Sequence, residues 1–441
     1  MVHSYRLGGY NIVADVESGA VHVLDDTAFD LIGRLTPPLT ETCPKGENAD
    51  AYAEIYALYK DEMLFSSDDY YDKSRATMEN PPLKALCLHI AHDCNLRCEY
   101  CFASTGDFGT GRKLMPPEIA KAAIDFVIAR SQKRRNIEVD FFGGEPLMAF
   151  DTVKETVEYA KEQGKLHDKT FRFTITTNGL ALDSDKIEYI NREMSNVVLS
   201  LDGRAEVNDR LRKTVNGDGS YKYIVPKFKE LVASRDDSRD YYIRGTFTRD
   251  NLDFMQDVLH IADLGFKHLS VEPVVGEADS AYSIKEQDMP AIFAEYERLA
   301  ELMKERKDFD FFHFTVDLEQ GPCIIKRIRG CGAGYEYAAV TPDGDVYPCH
   351  QFVGKDEYCM GNVEEGTFDH EISKKFMSLN VCTRKECQTC WARYYCSGGC
   401  SAANLNTNGN LETPYELGCE LLKKRLECAI MLKVHAAVKG K

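Results

Sequence analysis

Residues 85–101 read ALCLHIAHDCNLRCEYC. An apolar run of strand length ends at His92-Asp93, and Cys94, Cys98 and Cys101 follow at once. Three thiolates at these spacings can hold three irons of a [4Fe–4S] cluster, which more often takes four cysteines. A three-cysteine set leaves one iron open for another ligand. Alone, the pattern also fits a zinc site or three unrelated core cysteines.

Downstream of this strand the chain alternates. The runs IEVDFFGG, FRFTITTN, NVVLSLDG, YYIRGTFT and HLSVEPV read as further strands. Between them PPEIAKAAIDFVIARSQ, DTVKETVEYAKEQG, SDKIEYINREM, YIVPKFKELVAS and LDFMQDVLHIADLG carry apolar residues at helical spacing. Repeated βα units with mostly apolar strands predict an α/β fold, a parallel sheet covered by helices. Six units, over residues 84–310, predict a partial (β/α)6 TIM-like barrel. The cysteines and the glycine-containing motifs fall at the C-terminal ends of these strands, where such folds build their sites.

On either side of the barrel the rhythm differs. Residues 1–75 predict a separate, winged-helix-like unit. LGGYNIVADV and AVHVL read as strands about a turn at Glu17-Ser18-Gly19, and DTAFDLIGRL as a helix capped near Asp26 or Thr27. AYAEIYALYKDEML reads as a second helix, and SSDDYYDKSRATMENPPLK as a linker. From 321 to 441, short strands (EYAAVTPDGDVYP), turns and cysteines dominate, and this part is expected to depend on bound metal for its fold.

Composition narrows the function. Asp and Glu outnumber Lys and Arg, 71 to 54, for a formal charge of -17. That balance argues against nonspecific nucleic-acid binding and against docking on anionic lipid. The first residues lack the pattern of a signal peptide, and no apolar run is long enough to span a bilayer. A cytoplasmic location is expected, and there 16 cysteines point to metal rather than disulfides.

Gly143-Gly144-Glu145-Pro146 closes the second barrel strand. Glycine permits close backbone approach, and Glu145 with nearby carbonyls can accept hydrogen bonds from an ammonium group. CxxxCxxC with Tyr100 before the last cysteine, and GGEP one βα unit later, resemble the radical S-adenosylmethionine (SAM) superfamily. The resemblance implies that the open iron is chelated by SAM. It places Ser200 and Asp202 of SLDG near the SAM ribose and carboxylate, and Arg244 within reach of the carboxylate. Thr177-Asn178-Gly179 and Glu272 end other strands, where a structural role serves equally well.

Cys387, Cys390, Cys396 and Cys400 give C-x2-C-x5-C-x3-C, followed by Cys419; upstream stand Cys331, Gly344 and Cys349. The run resembles the SPASM domain, which holds two auxiliary [4Fe–4S] clusters. Carried over, Cys387, Cys390, Cys396 and Cys419 bind one, and Cys331, Cys349 and Cys400 the other. Cys323 is the candidate fourth ligand of the second; without it, one iron is open to a substrate thiolate. The cofactor expectation is therefore SAM and three [4Fe–4S] clusters. Cys43, Cys87, Cys359, Cys382 and Cys428 read as ordinary small apolar residues, and Trp391, Tyr394 and Tyr395 as shields for a cluster.

The N-terminal unit resembles PqqD-like domains, in which a leader peptide adds as a strand to a sheet edge. With LGGYNIVADVESGAVHVLD, AHDCNLRCEYCFA, GCGAGYEYAAVTPDGDVYPCHQFVG and ECQTCWARYYCSGGC, the whole chain resembles the SCIFF peptide maturases, which form thioethers in a cysteine-rich ribosomal peptide. The resemblance implies SAM cleavage to a 5′-deoxyadenosyl radical, hydrogen abstraction from a substrate Cα, and bonding of a cysteine sulfur to that carbon. A leader-bearing precursor peptide and an external electron donor such as ferredoxin or flavodoxin are the partners implied. The rival readings are an anaerobic sulfatase-maturing enzyme, a radical SAM enzyme forming a carbon–carbon or ether bond, and a zinc-dependent peptide-binding protein.

Overall fold

The computed structural model describes residues 1–68, 81–276, 280–318 and 324–440. The chain opens with an antiparallel meander of β1 (Val2–Leu7), β2 (Tyr10–Asp15) and β3 (Val21–Leu24). Helices α1 (Asp26–Ile32) and α2 (Ala49–Lys60) follow. The first is capped one residue earlier than expected: Asp25, not Asp26 or Thr27, accepts from the Ala28 amide. Strand β1 has no counterpart among the strands expected from sequence. Its residues, VHSYRL, are only half-buried and include too few apolar side chains to announce a strand.

Strand β2 shows why this unit is not a free-standing appendage. Successive residues of a strand face opposite sides. Val13 packs with Leu31, Ile32, Tyr52 and Ile55 of the two helices. Ile12 belongs to the barrel core, and Val16 packs with Ile328, Val381, Cys387 and Tyr394. Both faces of the small sheet are therefore covered.

The barrel begins at β4 (Ala85–His92), buried at all eight positions as a central parallel strand should be. A short β5 (Lys113–Leu114) returns beside its end. Then α3 (Pro117–Arg130), β6 (Asn136–Gly143), α4 (Phe150–Leu166), β7 (Thr170–Thr177), α5 (Ser184–Glu193) and β8 (Asn196–Ser200) alternate. Helices α6 (Ala205–Leu211) and α7 (Tyr221–Ala233), β9 (Asp240–Phe247), α8 (Phe254–Asp263) and β10 (His268–Pro273) complete the six units. Pro117 fits the first turn of α3, whose Ile119, Ala120, Ala123, Ile124 and Val127 turn inward at helical spacing. After α9 (Met289–Met303), the two-residue β11 (Asp310–Phe311) extends the sheet.

The C-terminal part is α10 (Ile324–Arg329), β12 (Tyr337–Val340), β13 (Asp345–Tyr347), β14 (Gly361–Asn362), α11 (His370–Ser378), α12 (Lys385–Gln388), α13 (Arg393–Cys396), α14 (Ser401–Asn408) and α15 (Glu416–Lys439). The sheet runs β11-β10-β9-β8-β7-β6-β4-β12-β13-β14. Strand β12 lies parallel to β4, Tyr337 opposite Ala85, so the C-terminal part joins the barrel's own sheet.

The region after 321, expected to depend on metal for its fold, is not held by metal alone. Helix α15 runs for 24 residues and buries Leu421, Cys428, Ala429, Ile430, Met431 and Val434. Its pattern is hard to read in the sequence because it is covered on two sides. Helix α9 packs on one, while β1 lies on another: Tyr5 donates to the Glu427 carbonyl at 3.1 Å and His3 meets the Glu427 carboxylate at 3.0 Å. Among the described residues no helix is long and apolar enough to cross a membrane.

Candidate active site

The loop after β4 carries Cys94, Cys98 and Cys101, and the turn after β6 is pressed against it. The Gly144 amide donates to the Ala91 carbonyl at 2.7 Å, and the Glu145 amide to the Asp93 carbonyl at 2.9 Å. A Cβ on Gly143, which has φ +120°, would lie 2.3 Å from the Ala91 oxygen; one on Gly144 would lie 2.2 Å from that of Asp93. Backbone atoms cannot yield cheaply. Gly144→Ala is expected to cost about 1–3 kcal/mol and to strip iron from this loop selectively. Gly33→Ala, with its nearest neighbour at 3.9 Å, is the control. Melting temperature and iron content per chain would check both.

The three thiols share one cavity of about 150 Å³ with Gly143, Gly144, Glu145, Ser200 and Arg212. Burial, with Glu145 nearby, pushes the Cys94 thiol up to about 12. Burial likewise pushes Cys98 up to about 11, with Arg212 pulling the other way. Ligation needs thiolates, so loading this site releases protons and favours a cation beside it. Arg212 is that cation. Burial works against its charge, yet Tyr100, Cys98 and Asp202 together hold its pKa above the ordinary value. It donates to the Tyr100 hydroxyl at 2.8 Å, while its buried Nε meets no partner. Arg212 is absent from the candidates read in the sequence, for it belongs to no spaced motif and reaches the cysteines only through the loop after α6.

The remaining candidates sort by position. Burial pushes Glu145 up to about 7, opposed by hydrogen bonds from the Asn178 amide, Thr177 and the Leu147 amide. The carboxylate thus sets the Asn178 turn as well as facing the cavity. The Asn178 amide group reaches Asn95 at 2.8 Å and the Cys94 sulfur at 3.5 Å. Pro146 starts a buried turn behind Glu145. Asp202 is buried away from the cavity lining, accepting from Tyr100 at 2.7 Å and the Thr246 amide at 3.0 Å. Arg244 also lies off the cavity and pairs with Glu272 at 3.1 Å.

In the C-terminal part, Cys387, Cys390, Cys396 and Cys419 line one cavity of about 480 Å³. Burial, then the neighbouring thiols, raise Cys387 to about 11 and Cys419 to about 12. Burial, then Cys400 and Cys331, raise Cys349. Two groups of neighbouring thiols are thus brought near one another, the donor type an iron–sulfur cluster takes. Cys323 lies outside the described residues. Trp391 stacks on His3, ring centroids 3.9 Å apart, and the Tyr394 hydroxyl donates to Asp68 at 2.6 Å. His350 lies between Phe102 and Phe142, 5.4 and 5.0 Å away.

Comparison with known proteins places this architecture. Residues 88–238 match the Radical SAM superfamily, and residues 331–391 match SPASM, an iron–sulfur cluster-binding domain. The second match, which spans Cys331, Cys349, Cys387 and Cys390, favours iron–sulfur clusters over zinc for the C-terminal cysteines. A cysteine-type anaerobic sulfatase-maturating enzyme of Clostridium novyi is 25% identical over 368 residues, 78% of this chain and 94% of that protein. By fold the chain is similar to anSMEcpe with bound AdoMet, at a TM-score of 0.66 and 20% identity over 81% of this chain and 100% of the other. It is similar also to Streptococcus suis SuiB bound to S-adenosylmethionine, at 0.56 and 16% identity over 95% and 98%. With thiols, glycine turn and barrel in this arrangement, the chain carries a Radical SAM domain and a C-terminal SPASM domain, and these two domains support SAM and iron–sulfur clusters as its cofactors.

Proposed function

We propose that the chain is a peptide maturase that joins a cysteine sulfur to a carbon, Cα, of another residue in a ribosomally made, cysteine-rich peptide. Cys94, Cys98 and Cys101 would hold the SAM-binding cluster, with Gly143, Gly144, Glu145, Pro146 and Ser200 beside the SAM. Together these cofactors supply radical chemistry. The chain's own residues shape the place: Arg212 favours the Cys98 thiolate, the Tyr100–Asp202 bond fixes the loop, and Phe102 and Phe142 stack along the cavity wall, ring centroids 6.4 Å apart. Cys387, Cys390, Cys396 and Cys419 would hold one auxiliary [4Fe–4S] cluster. Cys331, Cys349 and Cys400, with Cys323 as the candidate fourth ligand, would hold the other. An electron donor such as ferredoxin or flavodoxin would serve all three.

The observation that carries this reading is the small sheet at the front of the chain. Strand β3 pairs with β2 along one side, and Val23 stands 46% exposed on it. An extended leader peptide would add there as a fourth strand. SuiB, known in complex with a precursor peptide, spans 95% of this chain, whereas anSMEcpe spans 81%. A second reading, maturation of a sulfatase cysteine, is supported by the Clostridium novyi relative.

The test is mass spectrometry of a leader-bearing cysteine-rich peptide after anaerobic reaction. Loss of two hydrogens per cross-link, with the label of a deuterated Cα position moving to deoxyadenosine, is expected. An unchanged peptide, alongside turnover of a sulfatase-derived cysteine peptide, would reverse the choice.

A further inference from the structure

Arg384 is 4% exposed. Among the described residues it forms no ion pair with a carboxylate. One guanidinium nitrogen donates to the Gly398 carbonyl, and the other to the Ser401 hydroxyl and the Leu411 carbonyl, both at 3.1 Å. The third, Nε, is buried and meets no partner. Burying a cation without an anion costs several kcal/mol, so the chain holds Arg384 here against a penalty.

Its surroundings supply the reason. Burial pulls the Arg384 pKa down, and the groups that oppose this are Cys387, Cys396, Cys400 and Cys419. The first, second and fourth belong to one thiol group. Cys400 belongs to the other, with Cys331 and Cys349. The carbonyl that Arg384 grips, at Gly398, lies within the stretch from Cys396 to Cys400, and the hydroxyl, at Ser401, directly after it; that stretch carries one member of each group. A guanidinium that touches this connector and lies near thiols of both groups becomes a cation shared between two anionic sites once those thiols are ligated as thiolates.

We propose that Arg384 is the positioning residue that sets the reduction potential of the auxiliary clusters, as their common counter-cation and as the staple of the connector between them. This rests on the assignment of those thiols to iron–sulfur clusters. Charge and hydrogen bonding near the sulfurs govern cluster potentials. A nearby positive charge favours the more negative, reduced form, so removing it lowers the potential.

The experiment is an anaerobic redox titration of the full-length, reconstituted protein, followed by electron paramagnetic resonance, with iron and sulfide counted in the same samples. Wild type is compared with Arg384→Gln, Arg384→Lys and, as a control for lost packing alone, Asn404→Ala. At the wild-type midpoint, Arg384→Gln is expected to shift the oxidised-to-reduced ratio of an auxiliary signal at least tenfold toward oxidised, about 59 mV for one electron. Arg384→Lys keeps the charge and is expected to stay within threefold. If Arg384→Gln loads iron fully and titrates as wild type does, the proposal is wrong and Arg384 is only a staple. The proposal fails equally if Asn404→Ala shifts the potential as far. Zinc in place of auxiliary iron in the wild type would instead overturn the cluster assignment itself. Should Arg384→Gln fail to fold, the lysine variant decides: a tenfold shift despite retained charge overturns the proposal.

Discussion

Cys98→Ala, reconstituted anaerobically, is expected to release no 5′-deoxyadenosine above background, a fall on the order of a thousandfold or more, which corresponds to about 4 kcal/mol of barrier. Cys98 is the thiol that faces Arg212, and Arg212 in turn holds Tyr100, so this cysteine joins the cluster loop to the rest of the barrel mouth. Cys43→Ala is the matched control. Cys43 lies in the N-terminal unit, where it packs on the local core and its sulfur donates to the Pro44 and Glu47 carbonyls, and its loss is expected to leave turnover at the wild-type level. Equal deoxyadenosine from wild type and Cys98→Ala would refute the assignment of the cluster loop.

Deletion of residues 1–75 is expected to be far more damaging than the loss of a detachable module. From sequence the unit looks separable, and one would expect SAM cleavage to continue without it. The packing says otherwise. Arg393, between Cys390 and Cys396, is paired with Glu17 at 2.6 Å and with Asp68 at 2.9 Å, and its side chain is 10% exposed. Removing both carboxylates leaves a largely buried charge unpaired, a loss of about 3–5 kcal/mol. The deletion also uncovers the surfaces against Ile12 and Val16, each side chain being worth about 1.5–3 kcal/mol of burial. The truncated chain is expected to melt well below the full chain and to lose iron from the Cys387–Cys419 group first. A truncated protein with unchanged melting temperature and iron content would show that these contacts contribute little.

The barrel was legible because its strands and helices repeat and because CxxxCxxC and GGEP occupy fixed places in that repeat. Burial on both faces makes β4 read as one apolar run, and amphipathic helices such as α3 keep their period. The C-terminal thiol groups were legible from spacing. What escaped was set by contacts distant in sequence. Arg212 and Arg384 are ordinary residues in string form and acquire meaning only beside cysteines brought from elsewhere. Strand β1 and helix α15 cover each other, so neither shows the one-sided pattern that announces an element. Asp202 follows the end of β8 and Arg244 lies within β9, but their side chains are engaged by Tyr100 and Glu272, outside the lining of the cavity.

The pairing of β4 with β12 has a bearing on how the molecule is made. The cluster-bearing strand needs Tyr337–Val340 at its open side, and those residues emerge from the ribosome some 250 positions after it. At roughly 5–20 residues per second, that side stays bare for about 12–50 s. A naked parallel edge invites association with other nascent chains. In that interval the loop bearing Cys94, Cys98 and Cys101 hangs from a strand whose sheet still lacks one side.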